Sequence, residues 1–352
     1  MIHAVIMAGG KGTRFWPVST PERPKQLLRL FDERTMIEQT MLRLQPFIPT
    51  ERQYIVTIEE QVEEFARQVP GLRPDVFITE PFARNTAPCI GLSAVHLSKI
   101  DPEAIMVVLP ADHRISDKDA FHETLQTACN FVDESDGIVT IGIHPVRPET
   151  GYGYIQYERD EFRPGTHRVV TFAEKPNRET AIKFLETGEF LWNSGMFIWS
   201  VQRILSELEE HTPELHSALM EISDALDDPN GADRIYRAYQ SIKPISIDYS
   251  VMEKTRNAYV VPASFGWSDI GSWEEVYQLD EDRDVNDTVQ HGPVVTIDTK
   301  GSYVVSRTDL PLAVIGLDNV VVVQTDEGTL VCPRDRLQDV GKASEIIHKL
   351  KS

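Results

Sequence analysis

Cysteine is scarce in this chain, with 3 among 352 residues. Cys89, Cys129 and Cys332 are odd in number, far apart and outside any CxxC spacing. That excludes a disulfide framework and a cysteine-built zinc site, and makes the reducing cytoplasm the expected location. Long apolar runs are missing as well. None approaches the roughly 18 to 20 residues of a membrane-crossing helix. The opening "MIHAVIMAGG" has no basic stretch before its apolar centre, so it reads as a first buried strand, not an export signal. Positive charge is in short supply: 35 Lys and Arg stand against 55 Asp and Glu, for a formal net charge of -20. A broad basic field for a nucleic-acid backbone is thereby excluded, and no membrane surface is expected as a partner. Any phosphate ligand must be held in a local basic pocket built against the global field.

What is present is an alternation of buried-strand and one-sided-helix patterns. "HAVIMA", "QYIVTI", "DVFITE", "AIMVVLPAD" and "GIVTIGI" are short and apolar, and several are continuous, as in parallel strands covered on both faces. Between them, "TMIEQTMLRLQPF", "QVEEFARQV", "NTAPCIGLSAVHLSKI" and "DAFHETLQTACNFVDES" place apolar residues at helical steps. This predicts a doubly wound α/β domain over residues 1–280. The pattern loosens at "GYGYIQYERD" and "HRVVTFAEKP", read as antiparallel excursions. Past residue 280, "GPVVTID", "GSYVVSR", "LAVIGL", "NVVVVQT" and "GTLVCP" predict a small all-β unit over 281–352, a truncated β-solenoid closed by a terminal helix.

The segment "AVIMAGGKGTRFWPVSTPERPKQL" follows the first strand with three glycines and a cluster of cations. It is not a Walker A loop, because Gly10-Lys11 is followed by Gly12 and no glycine stands four residues earlier. It is not a dinucleotide fingerprint either: Gly10, Gly12 and Asp32 are in place, but the third glycine position is Phe15, where helix must pack closely on strand. What remains is a turn whose backbone N–H groups can approach an anion, with Lys11, Arg14 and Lys25 as cationic donors. A plain glycine turn with solvated lysines is the alternative.

Further segments give that loop company. "GGKGTRFWPVSTPERPKQ" resembles the signature loop of the sugar-1-phosphate nucleotidyltransferases, and its "FWP" and "PKQ" resemble the branch that joins GTP to mannose 1-phosphate. "TEPFARNTAPCIGLSA", "VVLPADHRI", "GYGYI", "FAEKPN" with "WNSGMFIW", and "FGWSDIGSWEEVY" match the same family in order. The resemblance implies a Rossmann-like nucleotidyltransferase fold with a mixed, mainly parallel sheet and a shortened left-handed β-helix at the C-terminus. It implies transfer of GMP from GTP to mannose 1-phosphate, yielding GDP-mannose and pyrophosphate, with Mg²⁺ as cofactor. Another nucleotide or hexose phosphate, or a silent nucleotide-sugar-binding relative, is the alternative. A homodimer is expected from the exposed edges of the β unit.

Residue roles follow from chemistry and resemblance together. Asp112, just past a buried strand, is by itself equally a helix cap. Paired with Asp269 in "GWSDIGSW" it makes a carboxylate pair of the kind that holds Mg²⁺. By resemblance, Ala8, Gly9, Gly10, Lys11, Gly12, Thr13 and Arg14 cradle the triphosphate, with Arg14 and Lys25 as catalytic cations. Glu80, Asn85, Thr86 and Ala87 form the candidate base reader, beside Pro110 and Asp112; Asn85 or Thr86 also fits a helix N-cap. Lys25, Gly153, Glu174, Lys175 and Asn193 are assigned to the sugar phosphate, Lys25 where the phosphates of the two substrates meet, with Lys175 counted as catalytic. In a regular strand Glu174 and Lys175 face opposite ways unless the chain turns, and Pro176 favours such a turn. Trp192, Phe197 and Trp199 read as core, not as a sugar platform.

Overall fold

The computed structural model describes residues 1–10 and 12–351. The first apolar runs form β1 (Ile2–Met7), β2 (Gln53–Ile58), β3 (Phe77–Glu80) and β4 (Ile105–Pro110). They lie side by side in the order β3-β2-β1-β4, all parallel. The helices between them are α1 (Met36–Leu44), α2 (Val62–Gln68) and α3 (Thr86–Ile100). Within β1, Ala4 and Ile6 join the core beneath α1 and α2, while Val5 joins the core beneath α3. Covered on both faces, such a strand has no polar side, so its sequence is continuous and not alternating.

The rest of the sheet is mixed. β5 (Arg114–Ile115) leads into α4 (Lys118–Glu134) and β6 (Ile138–Ile143), and a long hairpin follows as β7 (Tyr154–Arg163) and β8 (Thr166–Ala173). α5 (Arg178–Thr187), β9 (Phe190–Ser200), α6 (Val201–His211), α7 (Pro213–Leu226), α8 (Ala232–Ser241) and β10 (Ala258–Ala263) complete it. Among the described residues the sheet has nine strands, in the order β3-β2-β1-β4-β9-β6-β10-β8-β7. β9 runs antiparallel to both neighbours, so β4 and β6 are parallel to one another across it. A short antiparallel ribbon joins β5 to β11 (Trp267–Ser268), and α9 (Trp273–Leu279) follows.

The C-terminal unit coils. β12 (Val289–His291), β14 (Tyr303–Ser306) and β16 (Val320–Thr325) stack in parallel, as do β13 (Val294–Ile297) and β15 (Leu312–Ile315). Asp287, Asp298 and Asn319 take positive φ at corners of this coil, which short polar side chains tolerate. β17 (Gly328–Pro333) returns antiparallel on β16, and α10 (Val340–Lys351) closes the chain. The unit is not a separate bead. Phe15, Trp16, Val18 and Leu28 from the glycine-rich segment, and Ile270, Trp273 and Tyr277 around α9, share one core with Val289, Tyr303, Val321 and Leu330.

Candidate active site

β1 and β4 are adjacent and parallel, so the loops leaving their C-terminal ends emerge together at the edge where open α/β sheets bind ligands. The loop after β1 carries the glycines. Gly12 has φ +57°, and a Cβ there would lie 2.4 Å from the backbone nitrogen of Lys25. Only glycine lets the two ends of the segment touch. The Gln26 amide donates to the carbonyls of Ala8 and, at 3.1 Å, of Gly10, clamping the turn from inside. Phe15 and Trp16 are buried, anchoring the loop, while Arg14 between them and the glycines is exposed. Lys11 lies outside the described residues.

Asp112 follows β4 and meets Lys25, with Nζ 2.9 Å from its Oδ2. The same ammonium donates to the main-chain oxygen of Asp269, and Lys25 itself is buried. Residues 244 positions apart in the chain are thus joined at one nitrogen. Burial raises the Asp112 carboxyl, but the Lys25 charge, with help from His113 and hydrogen bonds, outweighs it and holds the group below the usual carboxylate range. Burial drops His113 to about 4, so its ring is neutral near pH 7 and accepts from Trp267 Nε1 at 3.1 Å. The Tyr152 hydroxyl donates to Asp269 Oδ1 at 2.5 Å. A Cβ on Gly271 would lie 3.4 Å from Asp269 Oδ2 and 3.7 Å from Arg14 Nη1, so the arginine and the carboxylate flank the same glycine.

These residues fit a hard divalent cation. The Lys25 ammonium, held by oxygens of both aspartate residues, shows that the position between them attracts positive charge. Among the described residues no three His, Cys, Asp or Glu side chains gather around a metal position. Two carboxylates, with water and phosphate oxygens completing the shell, is the usual arrangement for magnesium.

Beside this pair lies a cavity of about 330 Å³, lined by Gly9, Gly10, Gln26, Glu80, Asn85 and Asp112 among others. Ala8, Thr86 and Pro110 line it too, whereas Thr13 and Ala87 are not on its wall. Glu80 is 3% exposed. Burial pushes its carboxyl up to about 7, against hydrogen bonds from Tyr239 and Cys89 that favour the charged form. Asn85 caps α3 at φ +73°, its side chain accepting from Thr86 N at 2.8 Å. The Thr86 hydroxyl is already engaged, accepting from Ile247 N at 2.8 Å. Cap and pocket wall are therefore one structure.

The third cluster lies on β9 and the turn after β8. The strand ends at Ala173, and Lys175 takes φ +45°. The chain does turn, so Lys175 Nζ meets Glu174 Oε1 at 2.7 Å instead of facing away. A Cβ on Gly153 would lie 2.6 Å from Glu174 Oε2. Asn193 donates from Nδ2 to Asp248 Oδ1 at 2.9 Å, and its backbone N–H donates to Gly153 O at 2.8 Å. Burial and the neighbouring Glu174 charge raise the Asp248 carboxyl. Gly195, at φ +70°, packs beside Pro110, so this cluster adjoins the cavity lined by Glu80 and Asn85. Trp192, Phe197 and Trp199 are buried as core.

Sequence reasoning missed Gln26, Tyr152, Tyr239 and Asp248. Gln26 and Tyr152 lie inside segments already singled out, "PKQ" and "GYGYI". Asp248 and Tyr239 lie in a stretch without glycine-rich or paired-acid signals, and only the fold brings them to the site.

Residues 3–284 match the nucleotidyl transferase family, and residues 292–350 match the MannoseP isomerase/GMP-like β-helix domain. The chain is similar to the xanthan biosynthesis protein XanB of Xanthomonas campestris pv. campestris, 38% identical over 352 residues, covering 99% of this chain and 73% of that protein. It is 39% identical over 354 residues to a mannose-1-phosphate guanylyltransferase of Klebsiella pneumoniae, covering 99% of this chain and 74% of that one. A crystal structure from Thermus thermophilus, described as a mannose-1-phosphate geranyltransferase, superposes with a TM-score of 0.86 at 32% identity, covering 100% and 99% of the two chains. With its mixed Rossmann-like sheet, its glycine-rich loop and a C-terminal domain of the β-helix type, the chain is an enzyme of the nucleotidyl transferase family.

Proposed function

We propose that this enzyme is a mannose-1-phosphate guanylyltransferase, joining GTP and mannose 1-phosphate into GDP-mannose with release of pyrophosphate. One observation carries the reading: Lys25 gathers Asp112 and Asp269 at one point, beside a nucleotide-sized cavity and near the polar cluster of Glu174, Lys175 and Asn193. The names of the relatives support the choice of GTP and mannose 1-phosphate.

A sugar phosphate dianion is itself a nucleophile, so the protein needs only to position it and to neutralise charge. Arg14 and the amides of the loop hold the departing β- and γ-phosphates, in line with attack at the α-phosphorus. Lys25 lies where the phosphates of the two substrates meet. Lys175 receives the sugar phosphate, and Glu174, Asn193 and the Gly153 backbone hold the hydroxyls. Glu80 accepts from the N1 and N2 donors of guanine. Asp112 and Asp269 would hold Mg²⁺, which when bound supplies charge neutralisation across the α-phosphate and the leaving group.

We further assign residues 1–280 to the catalytic domain and 281–352 to the β domain, and infer a cytoplasmic homodimer. No helix among the described residues is long and apolar enough to cross a membrane. Val295, Ile297 and Ile315 project from β13 and β15 as an exposed, uncharged face, and in a chain of charge -20 such a face is where a second copy meets least repulsion.

A substrate panel tests the function. Pyrophosphate release should be fastest with GTP and mannose 1-phosphate; faster release with UTP, dTTP or glucose 1-phosphate would reassign the specificity.

A further inference from the structure

Asp269 stands on an unusual piece of backbone. The next residue, Ile270, is β-branched yet takes φ +46°, a left-handed conformation such residues rarely adopt. It is held there by complete burial in the core shared with the C-terminal unit. The strand before it, β11, pairs with β5, so a single ribbon carries Asp112 two residues before one strand and Asp269 directly after the other.

Side chains close that ribbon into a ring of contacts. Lys25 links the Asp112 carboxylate to the Asp269 carbonyl. The Tyr152 hydroxyl donates to Asp269 Oδ1 at 2.5 Å. The Tyr152 ring packs edge-on against Trp267, centroids 5.2 Å apart at 68°, and against Trp192, 5.3 Å at 80°. Trp267 donates to His113, which adjoins Asp112. An ionised carboxylate only accepts, so the tyrosine must donate. Both carboxylate oxygens border Gly271, at 3.4 Å for Oδ2 and 3.7 Å for Oδ1 from a Cβ placed there, but the tyrosine hydroxyl engages Oδ1 and so leaves Oδ2 as the oxygen it does not occupy.

We propose that Tyr152 is a positioning residue that fixes the rotation of the Asp269 carboxylate and selects Oδ2 as the oxygen presented to a divalent cation. The proposal rests on the reading of Asp269 as a metal ligand. The two wedging tryptophans keep the phenol from swinging with its partner, so the carboxylate is held before any cation arrives.

The test is Mn²⁺ affinity, measured by water-proton relaxation on the full chain saturated with a GTP analogue bearing a methylene in place of the α,β-bridging oxygen. Loss of an outer-shell partner of a metal ligand costs about 10- to 100-fold in affinity, which is the drop expected for Tyr152→Phe. The KM for mannose 1-phosphate should stay within about twofold, since Tyr152 has no hydrogen bond to the proposed sugar groups, while kcat falls with the metal affinity. Wild-type Mn²⁺ affinity in a folded Tyr152→Phe protein overturns the proposal. If that variant does not fold, Trp267→Leu, which removes one of the two rings that wedge the phenol, decides: weakened Mn²⁺ binding supports the proposal, and unchanged binding overturns it. Asp269→Ala runs alongside. If Asp269→Ala binds Mn²⁺ as well as wild type does, the metal reading itself fails, an outcome distinct from failure of Tyr152→Phe alone.

Discussion

Glu80 is the residue whose chemistry is most open to measurement. Its side chain sits in the nucleotide-side cavity, nearly excluded from water, with the Tyr239 hydroxyl on Oε1 and Oε2 facing Gly9. Burial raises its pKa to about 7, so below that value it is largely protonated. A group raised on folding favours the folded state in acid, and that contribution disappears as pH rises from the ordinary carboxylate range through about 7. If Glu80 reads guanine as proposed, base binding has the opposite preference, because the N1 and N2 donors need a charged acceptor. GTP binding below pH 7 should therefore release a proton, and the apparent KM for GTP should rise by up to about tenfold per pH unit as pH falls. Titration calorimetry in buffers of different ionisation enthalpy checks the proton release. In Glu80→Gln the pH dependence should vanish along with most of the preference for guanine; persistence of the full pH dependence would remove Glu80 from base recognition.

At the scale of elements, the glycine-rich loop works because it folds back on itself. Gly12→Ala forces a Cβ to within 2.4 Å of the Lys25 nitrogen at a positive φ. The loop must then open, moving Lys25 away from Asp112, and kcat/KM for GTP should fall about 10- to 100-fold while the circular dichroism stays native, as expected when positioning is lost by about an ångström. Wild-type kinetics would show that the close approach of Gly12 to Lys25 is dispensable. The loop was legible in the sequence for the same reason it matters: glycine spacing, buried aromatics and cations are local signals. Asp112 and Asp269 were legible as strand-end and turn carboxylates once considered together. The turn at Lys175 was only half legible, since Pro176 signals a break but not that the ammonium would fold onto Glu174. Asp248 and Tyr239 were not legible at all. Their roles arise from long-range packing, with Tyr239 reaching Glu80 across 159 positions and Asn193 reaching Asp248 across 55.

Over the whole molecule, an acidic chain holds Lys25 and Arg14 close to Asp112 and Asp269. A net charge of -20 would repel a nucleoside triphosphate, so Arg14 and Lys25 act against that background from a loop whose anchor is shared with the C-terminal unit. Gly328 lies against Trp16, and Gly341 of α10 lies against Thr13 and Arg14, so the C-terminal unit forms part of the mount for the glycine-rich loop. The same shared core buries Ile270, tying the Asp269 segment and the glycine-rich loop to one scaffold. In the proposed function, this scaffold presents Asp112 and Asp269 for the transfer of GMP onto a sugar phosphate. The most direct measurement is GDP-mannose formation from GTP and mannose 1-phosphate with Mg²⁺, comparing wild type with Asp269→Ala. The wild-type protein should turn over, and the variant should retain its melting temperature while losing at least about 100-fold in kcat, the scale of removing a key electrostatic stabiliser. Undiminished turnover in Asp269→Ala, or no GDP-mannose from the wild-type protein, would contradict it.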